Sequence, residues 1–161
     1  MYRAGHLGVS LLVYAPVGFV LLFSGRPELA LLGEIGMLSL ASVPDVDHDL
    51  PLVSHRGVTH TVGFAVLAGL AFGAIGWVFG GHPSVPTHSS LAVFGFAVGT
   101  LGILAHLIGD LLTPMGITPF WPLWARTFSL RLTPADNTFA NYGLLALGMF
   151  VTGAVVFTAG P

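Results

Sequence analysis

Residues Thr61 to Gly80 read TVGFAVLAGLAFGAIGWVFG, a run without a charged side chain or a proline. A helix rises about 1.5 Å per residue, so roughly 20 such residues span the ~30 Å hydrocarbon core of a bilayer. Three more uncharged stretches of similar length flank it: Leu7–Ser24, Ser89–Gly109 and Tyr142–Gly160. A fifth, Leu29–Val43, is shorter and carries Glu34, yet it must also cross for the ends of the other helices to alternate. The rest of the chain has the same character, with 54% hydrophobic and only 7% charged residues among 161 and a mean hydropathy of +0.87. A water-soluble domain carries roughly 25% charged residues, so a surface wetted on all sides is excluded. The expectation is an all-α integral membrane protein, one membrane-embedded domain over residues 1–161. It is a compact bundle of about five transmembrane helices with an interfacial or re-entrant loop before the last.

Glycines recur at Gly69/Gly73, Gly76/Gly80 and Gly95/Gly99, a spacing that lets the third and fourth helices approach closely. Between Leu111 and Arg126 the chain is again uncharged, but Pro114, Pro119 and Pro122 remove backbone donors and forbid a spanning helix. Phe120, Trp121 and Trp124 suit the headgroup level. Asp136 and Asn137 read as the N-cap of the last helix. A cleaved leader is the competing reading of the first span. Against it stand a lone n-region charge, Arg3, and the lack of a small-x-small site before Arg26. With five crossings, Arg3, Arg56, Arg126 and Arg131 fall on one side and Arg26 on the other, so the first side is cytoplasmic by the positive-inside rule.

The net charge of −2 with a pI near 6.3 offers no basic surface for nucleic acid. Cysteine is absent, which excludes disulfides and thiolate sites and leaves histidine, carboxylate and backbone oxygen as metal ligands. The few ionisable residues gather in PDVDHD (44–49), HRGVTH (55–60) and HLIGD (106–110), with His6 opening the first span. Counting crossings brings all of these to the cytoplasmic side, whereas His82 and His88 fall on the other and are not expected to be ligands. His106 and Asp110, four apart, share a helix face. A buried Asp–His hydrogen bond is the plainer alternative, but an intramembrane ionisable pair is by default a functional site. Asp45 and Asp47 point the same way if their segment is extended; a solvated acidic loop is the alternative. His55 and His60 cannot share a helical face, so Gly57 is expected to turn the chain, with Thr59 or Thr61 capping and His60 on the first helical turn. Arg56 reads as a bidentate anion clamp or as a charge that sets topology. Glu34, mid-helix, either pairs within the bundle or is neutral.

His6, Asp45, Asp47, His60, His106 and Asp110 are the expected metal ligands, enough for one or two divalent ions. Zinc is favoured by the donor set, with manganese or magnesium as alternatives. His55 or His48 would be a general base, an orienting residue or a further ligand.

In P-D-x-D-H, H-R-G-x-T-H and H-x-x-x-D-x-x-T-x-x-G, together covering most of the chain from His6 to about Pro122, the sequence resembles the YdjM-type family of small membrane-bound metal-dependent hydrolases. The resemblance implies an integral membrane hydrolase with a divalent metal site. The H-x-x-x-D element is also similar to one in zinc-dependent phospholipases C and nucleases, which favours a phosphoester. The leading expectation is hydrolysis by a metal-activated water at the cytoplasmic face of the cell membrane, on a lipid or other amphiphile, with membrane lipids as partners. The alternative is a metal-ion or proton transporter using the same cluster. Transport sites usually lie at the midplane with access from both faces, and the cluster is one-sided. Haem or quinone binding would need paired histidines within the spans, and only His106 lies well inside one.

Overall fold

A computed structural model describes residues 1–49, 56–82 and 85–159. Its helices are α1 (Arg3–Phe23), α2 (Pro27–Leu40), α3 (Val62–Phe79), α4 (His88–Leu111) and α5 (Thr138–Ala159). Each is long and apolar enough to cross a membrane, α2 once it is taken with the 3-10 turn that continues it to His48. Large apolar side chains point outward along the spans, among them Phe23, Leu67, Val93 and Phe157. Among the described residues, then, the all-α membrane bundle is as expected.

The ends of the helices follow local chemistry. Gly25, at φ +69, turns the chain out of α1, and Pro27, whose missing N–H costs nothing in a first turn, opens α2. Hydroxyls cap α3 and α4, Thr61 accepting from Phe64 N at 3.1 Å and Thr87 from Ser90 N at 3.3 Å. Of the two residues expected to cap α5, Asn137 does so, its Oδ1 accepting from Ala140 N at 3.1 Å.

α3 packs antiparallel on α4, and α1 runs parallel to α5 against it, while α1 and α2 against α4 join the two pairs. The expected glycine seam is real: a Cβ at Gly99 would stand 2.6 Å from Ala68 O, and one at Gly69 2.9 Å from Phe96 O. A second seam was not anticipated, where a Cβ at Gly148 would meet Gly8 O at 2.8 Å. Buried between the pairs are Val9, Tyr14, Met37, Val98 and Ala105, and beside them Leu40, Ala65, Ile103, Leu107 and Ile117.

The segment from α4 to α5 does not span. It doubles back through an antiparallel bridge between Ile117 and Phe128 and donates from Leu130 N to Leu111 O and from Leu132 N to Leu112 O, both at 2.8 Å. Val62 N in turn donates to Pro119 O at 2.8 Å, which ties this loop to the start of α3. It thus lies across the ends of α3 and α4.

Two local expectations are corrected. Pro44–Asp49 is a 3-10 turn and not an extended strand. With three residues per turn, side chains two apart diverge, so Asp45 and Asp47 face different partners. Gly57 bends the chain as expected, at φ −84 and ψ −128, and the residue before it, Arg56, is left-handed at φ 59, with Asp47 Oδ2 accepting from Arg56 N at 3.0 Å. His60 ends a 3-10 turn, Val58–His60, just ahead of α3.

Candidate metal centre

The helix ends bring four side chains together: Asp45 after α2, His60 before α3, and His106 and Asp110 one turn apart on α4. Each offers one ligand atom, and the four atoms lie within 4.8 Å of one another. His60 Nε2 is 3.2 Å from His106 Nε2, 3.3 Å from Asp110 Oδ2 and 3.5 Å from Asp45 Oδ1. His106 Nε2 is 3.4 Å from Asp45 Oδ1 and 3.6 Å from Asp110 Oδ2. Four ligands tetrahedral around an ion at ~2.0–2.2 Å have edges of roughly 3.3–3.6 Å; the five separations just given are close to that, and this group could hold a metal ion.

Hydrogen bonds behind the rings direct the donors inward. His106 Nδ1 donates to Ala41 O at 2.8 Å, an acceptor only, so in the neutral ring Nε2 carries the lone pair. His60 Nδ1 faces Thr59 Oγ1 at 3.0 Å and Asp47 Oδ2 at 3.3 Å, while the Thr59 hydroxyl donates to that same carboxylate oxygen at 2.7 Å. This carboxylate–imidazole pairing is the usual support of a metal-binding histidine. Two lone pairs and two carboxylate oxygens converge, and Asp110 Oδ2 is buried without a hydrogen-bond partner among the described residues. Burial lowers the pKa of His60, but the Asp110 and Asp45 carboxylates 3.3 and 3.5 Å from its Nε2 outweigh it and raise the pKa above the ordinary 6.5. The histidines and Asp110 are almost wholly buried, and the side chain of Asp45, at 32% exposure, marks the open side.

The remaining expected residues fall around this group. Asp47 is buried behind His60. His6, fully buried, stacks on His106 with centroids 3.8 Å apart and 7° between planes, its Nε2 3.5 Å from Asp110 Oδ1. Neither ring nitrogen of His6 finds a hydrogen-bond partner among the described residues. Its place exists because residue 109 is glycine: a Cβ there would be 2.7 Å from His6 Nδ1. Arg56 is spent within the protein, Nη2 donating to Asp110 Oδ1 at 2.9 Å and Nη1 to Gly116 O at 2.8 Å and Thr113 Oγ1 at 3.3 Å. A free bidentate clamp is therefore not what it presents. His48 is exposed on the 3-10 turn and does not join the four. His55 lies outside the described residues. His88 Nδ1 donates to Trp77 O at 2.7 Å, where α3 turns into α4 at the other end of the bundle, and His82 is exposed in that turn.

Several contributors were missed. Thr113 and Gly116, letters of the third sequence motif, hold Arg56, and Thr59, expected only as a cap, orients His60. The amino group of Met1 donates to Asp110 Oδ1 at 2.7 Å, and Asn141 Oδ1 fixes that segment by accepting from Tyr2 N at 2.9 Å. Neither contact has a signature in the sequence.

A family model described as YdjM inner membrane protein matches residues 1–159. No curated protein and no solved structure matches.

Proposed function

The chain belongs to the YdjM inner membrane protein family, and from that premise we propose that it is a membrane-bound metal-dependent hydrolase acting at the cytoplasmic face on a phosphoester of a lipid or other amphiphile. The observation that carries this reading is the set of four donors whose ligand atoms lie within 4.8 Å of one another, buried except on the Asp45 side. Two imidazoles and two carboxylates suit zinc, with manganese or magnesium as alternatives. Such an ion supplies a Lewis acid and lowers the pKa of bound water to about 7.

The chain's own residues do the positioning. Asp47 and Thr59 fix the His60 ring, Ala41 O fixes His106, and Arg56 holds Asp110 so that one oxygen faces the group. The other oxygen is claimed by Arg56 and the Met1 amino group, which favours one ion over a bridged pair. His6, with unpartnered nitrogens beside the group, can accept a hydrogen bond from a water or substrate hydroxyl. The exposed Trp121 and Trp124 of the doubled-back loop suit an amphiphile whose tail stays in the bilayer. The cytoplasmic assignment follows the four arginines on the side of the cluster. A transporter is the weaker reading, because among the described residues there is no second such group at the opposite end.

Metal content per chain in detergent-purified protein tests the centre. Wild type and His88→Ala should carry about one ion, and His106→Ala and Asp110→Ala should lose it. Wild type without metal after resupply with zinc, manganese or magnesium would overturn the reading. So would a loaded protein inert toward lipid and soluble phosphoesters alike.

A further inference from the structure

Between the doubled-back loop and α4 runs a groove of about 430 Å³, walled by Val62 of α3, Leu104, Ile108 and Leu111 of α4, and Phe120 and Phe128 of the loop. Among the described residues the only polar side chain on its wall is Ser129, whose hydroxyl is spent in donating to Thr113 O at 2.6 Å. The lining side chains thus offer no hydrogen bond, and at the depth of a membrane span such a groove fits an acyl chain. It is also preformed. Val62 N donates to Pro119 O, Leu130 N to Leu111 O and Phe128 N to Ile117 O, each at 2.8 Å, so filling it need not first order its walls. Ile108 and Leu130, at 42% and 56% exposure, open it to the surrounding hydrocarbon.

An unpaired cation stands at its rim. Arg126 Cζ is 5.5 Å from the Phe128 ring and 5.7 Å from that of Trp124, and these two rings meet edge to face at 5.6 Å. Two aromatic rings therefore hold the exposed guanidinium against a groove wall. Arg126 makes no ion pair or hydrogen bond among the described residues, and no Asp or Glu occurs between Leu111 and Ala135. Trp121, Leu123 and Trp124 beside it are exposed, which suits headgroup depth and not open water.

We propose that this groove binds one anionic phospholipid, with an acyl chain along α4 under the loop and the headgroup phosphate on Arg126. A free cation at the rim of an apolar channel complements both halves of that molecule. The lipid then lies beside the metal centre: Val62 follows His60 by two residues, and Leu107 and Leu111, both on the groove wall, directly follow His106 and Asp110, about 100° round α4. Its use as a substrate rests on the hydrolase reading; its binding does not.

Native mass spectrometry of the full chain, released from micelles with equal phosphatidylglycerol and phosphatidylcholine, counts the lipids retained. One arginine facing anionic lipid is worth about fivefold in affinity, so wild type should retain phosphatidylglycerol over phosphatidylcholine by about that ratio. Arg126→Gln should make the two lipids equal, and Arg126→Lys should keep the preference. Arg131→Gln, which removes the same charge from another exposed place on the loop, should leave it unchanged. Ile108→Trp, filling the groove from α4, should cut retention of both lipids, whereas Ile35→Trp on the exposed face of α2 should not. Equal losses from Arg126→Gln and Arg131→Gln would reduce the effect to the general charge of the loop and overturn the site. So would wild type without a preference, or unchanged retention by Ile108→Trp. A dimer that keeps no lipid would also overturn it, by giving the groove to a second copy. Should Ile108→Trp not fold, the arginine variants still decide. Phosphatidylglycerol retained as expected by a metal-loaded protein that turns over no phosphoester would sink the hydrolase reading and leave the lipid site standing.

Discussion

Asp47 accepts from the Thr59 hydroxyl and from Arg56 N, and its Oδ2 stands 3.3 Å from His60 Nδ1, the ring nitrogen opposite the ligand atom. Its removal leaves His60 free to turn and the Arg56 backbone unheld. Asp47→Ala should therefore keep the ion but bind it about 10–100-fold more weakly, as measured by chelator competition. Wild-type affinity in that variant would make the His60 orientation independent of it. Protons compete at the same place. With the His60 pKa raised above 6.5, the ion must displace a proton already near neutral pH. Metal affinity should be full at alkaline pH and fall as pH drops toward and below neutrality, by about tenfold per pH unit for each proton displaced. A flat profile over that range would show that His60 is not a ligand. The sequence made the ligand types legible because ionisable residues are so rare in this chain. It could not rank Asp45 against Asp47, since which carboxylate faces inward depends on a 3-10 turn of six residues, too short to leave a periodic signal.

At the scale of the elements, glycine decides how closely the helices meet. The α3–α4 seam was readable because its glycines repeat four apart on both partners, whereas the glycines of α1 (Gly5, Gly8, Gly18) and α5 (Gly143, Gly148, Gly153) lack that spacing, and Gly8 and Gly148 meet only in the folded bundle. The doubled-back loop was readable as non-spanning from its prolines, but its hydrogen bonds to Leu111, Leu112 and Val62 join residues that no local pattern links. Gly99→Leu and Gly148→Leu should each destabilise the bundle by about 1–3 kcal/mol through overpacking. Gly143→Ala and Gly153→Ala, where an added Cβ meets nothing within 4 Å, should be neutral or raise stability by about 0.5–1 kcal/mol through backbone entropy. Thermal unfolding in detergent separates the two pairs, and equal losses in all four would dismiss the seams. Gly109→Ala is a sharper case, because its methyl enters the His6 ring and not a neighbouring backbone. Its cost should appear in the metal centre, with weakened metal binding and a modest change in unfolding temperature.

For the whole molecule, one end of the bundle collects the starts of α1, α3 and α5 and the ends of α2 and α4, which is why residues from His6 to Asp110 meet although their segments are remote in sequence. An odd number of crossings places the α3–α4 turn and the segment before α5 on opposite faces of the membrane. The absence of cysteine makes this directly readable, because any introduced thiol is the sole target of a maleimide. His82 and Asp136 are exposed and remain clear of the metal-binding group. In intact cells His82→Cys should react with a membrane-impermeant maleimide and Asp136→Cys only after permeabilisation, because four of the five arginines accompany the Asp136 side. The reverse pattern would keep the bundle and its centre but turn the site away from the cytoplasm, and with it the pool of substrates it can meet. Labelling of both from one side would mean that a helix fails to cross, most readily α2, whose 14 residues reach across only with their 3-10 continuation. Because that continuation also carries Asp45, a failed crossing there would remove a ligand and the topology together.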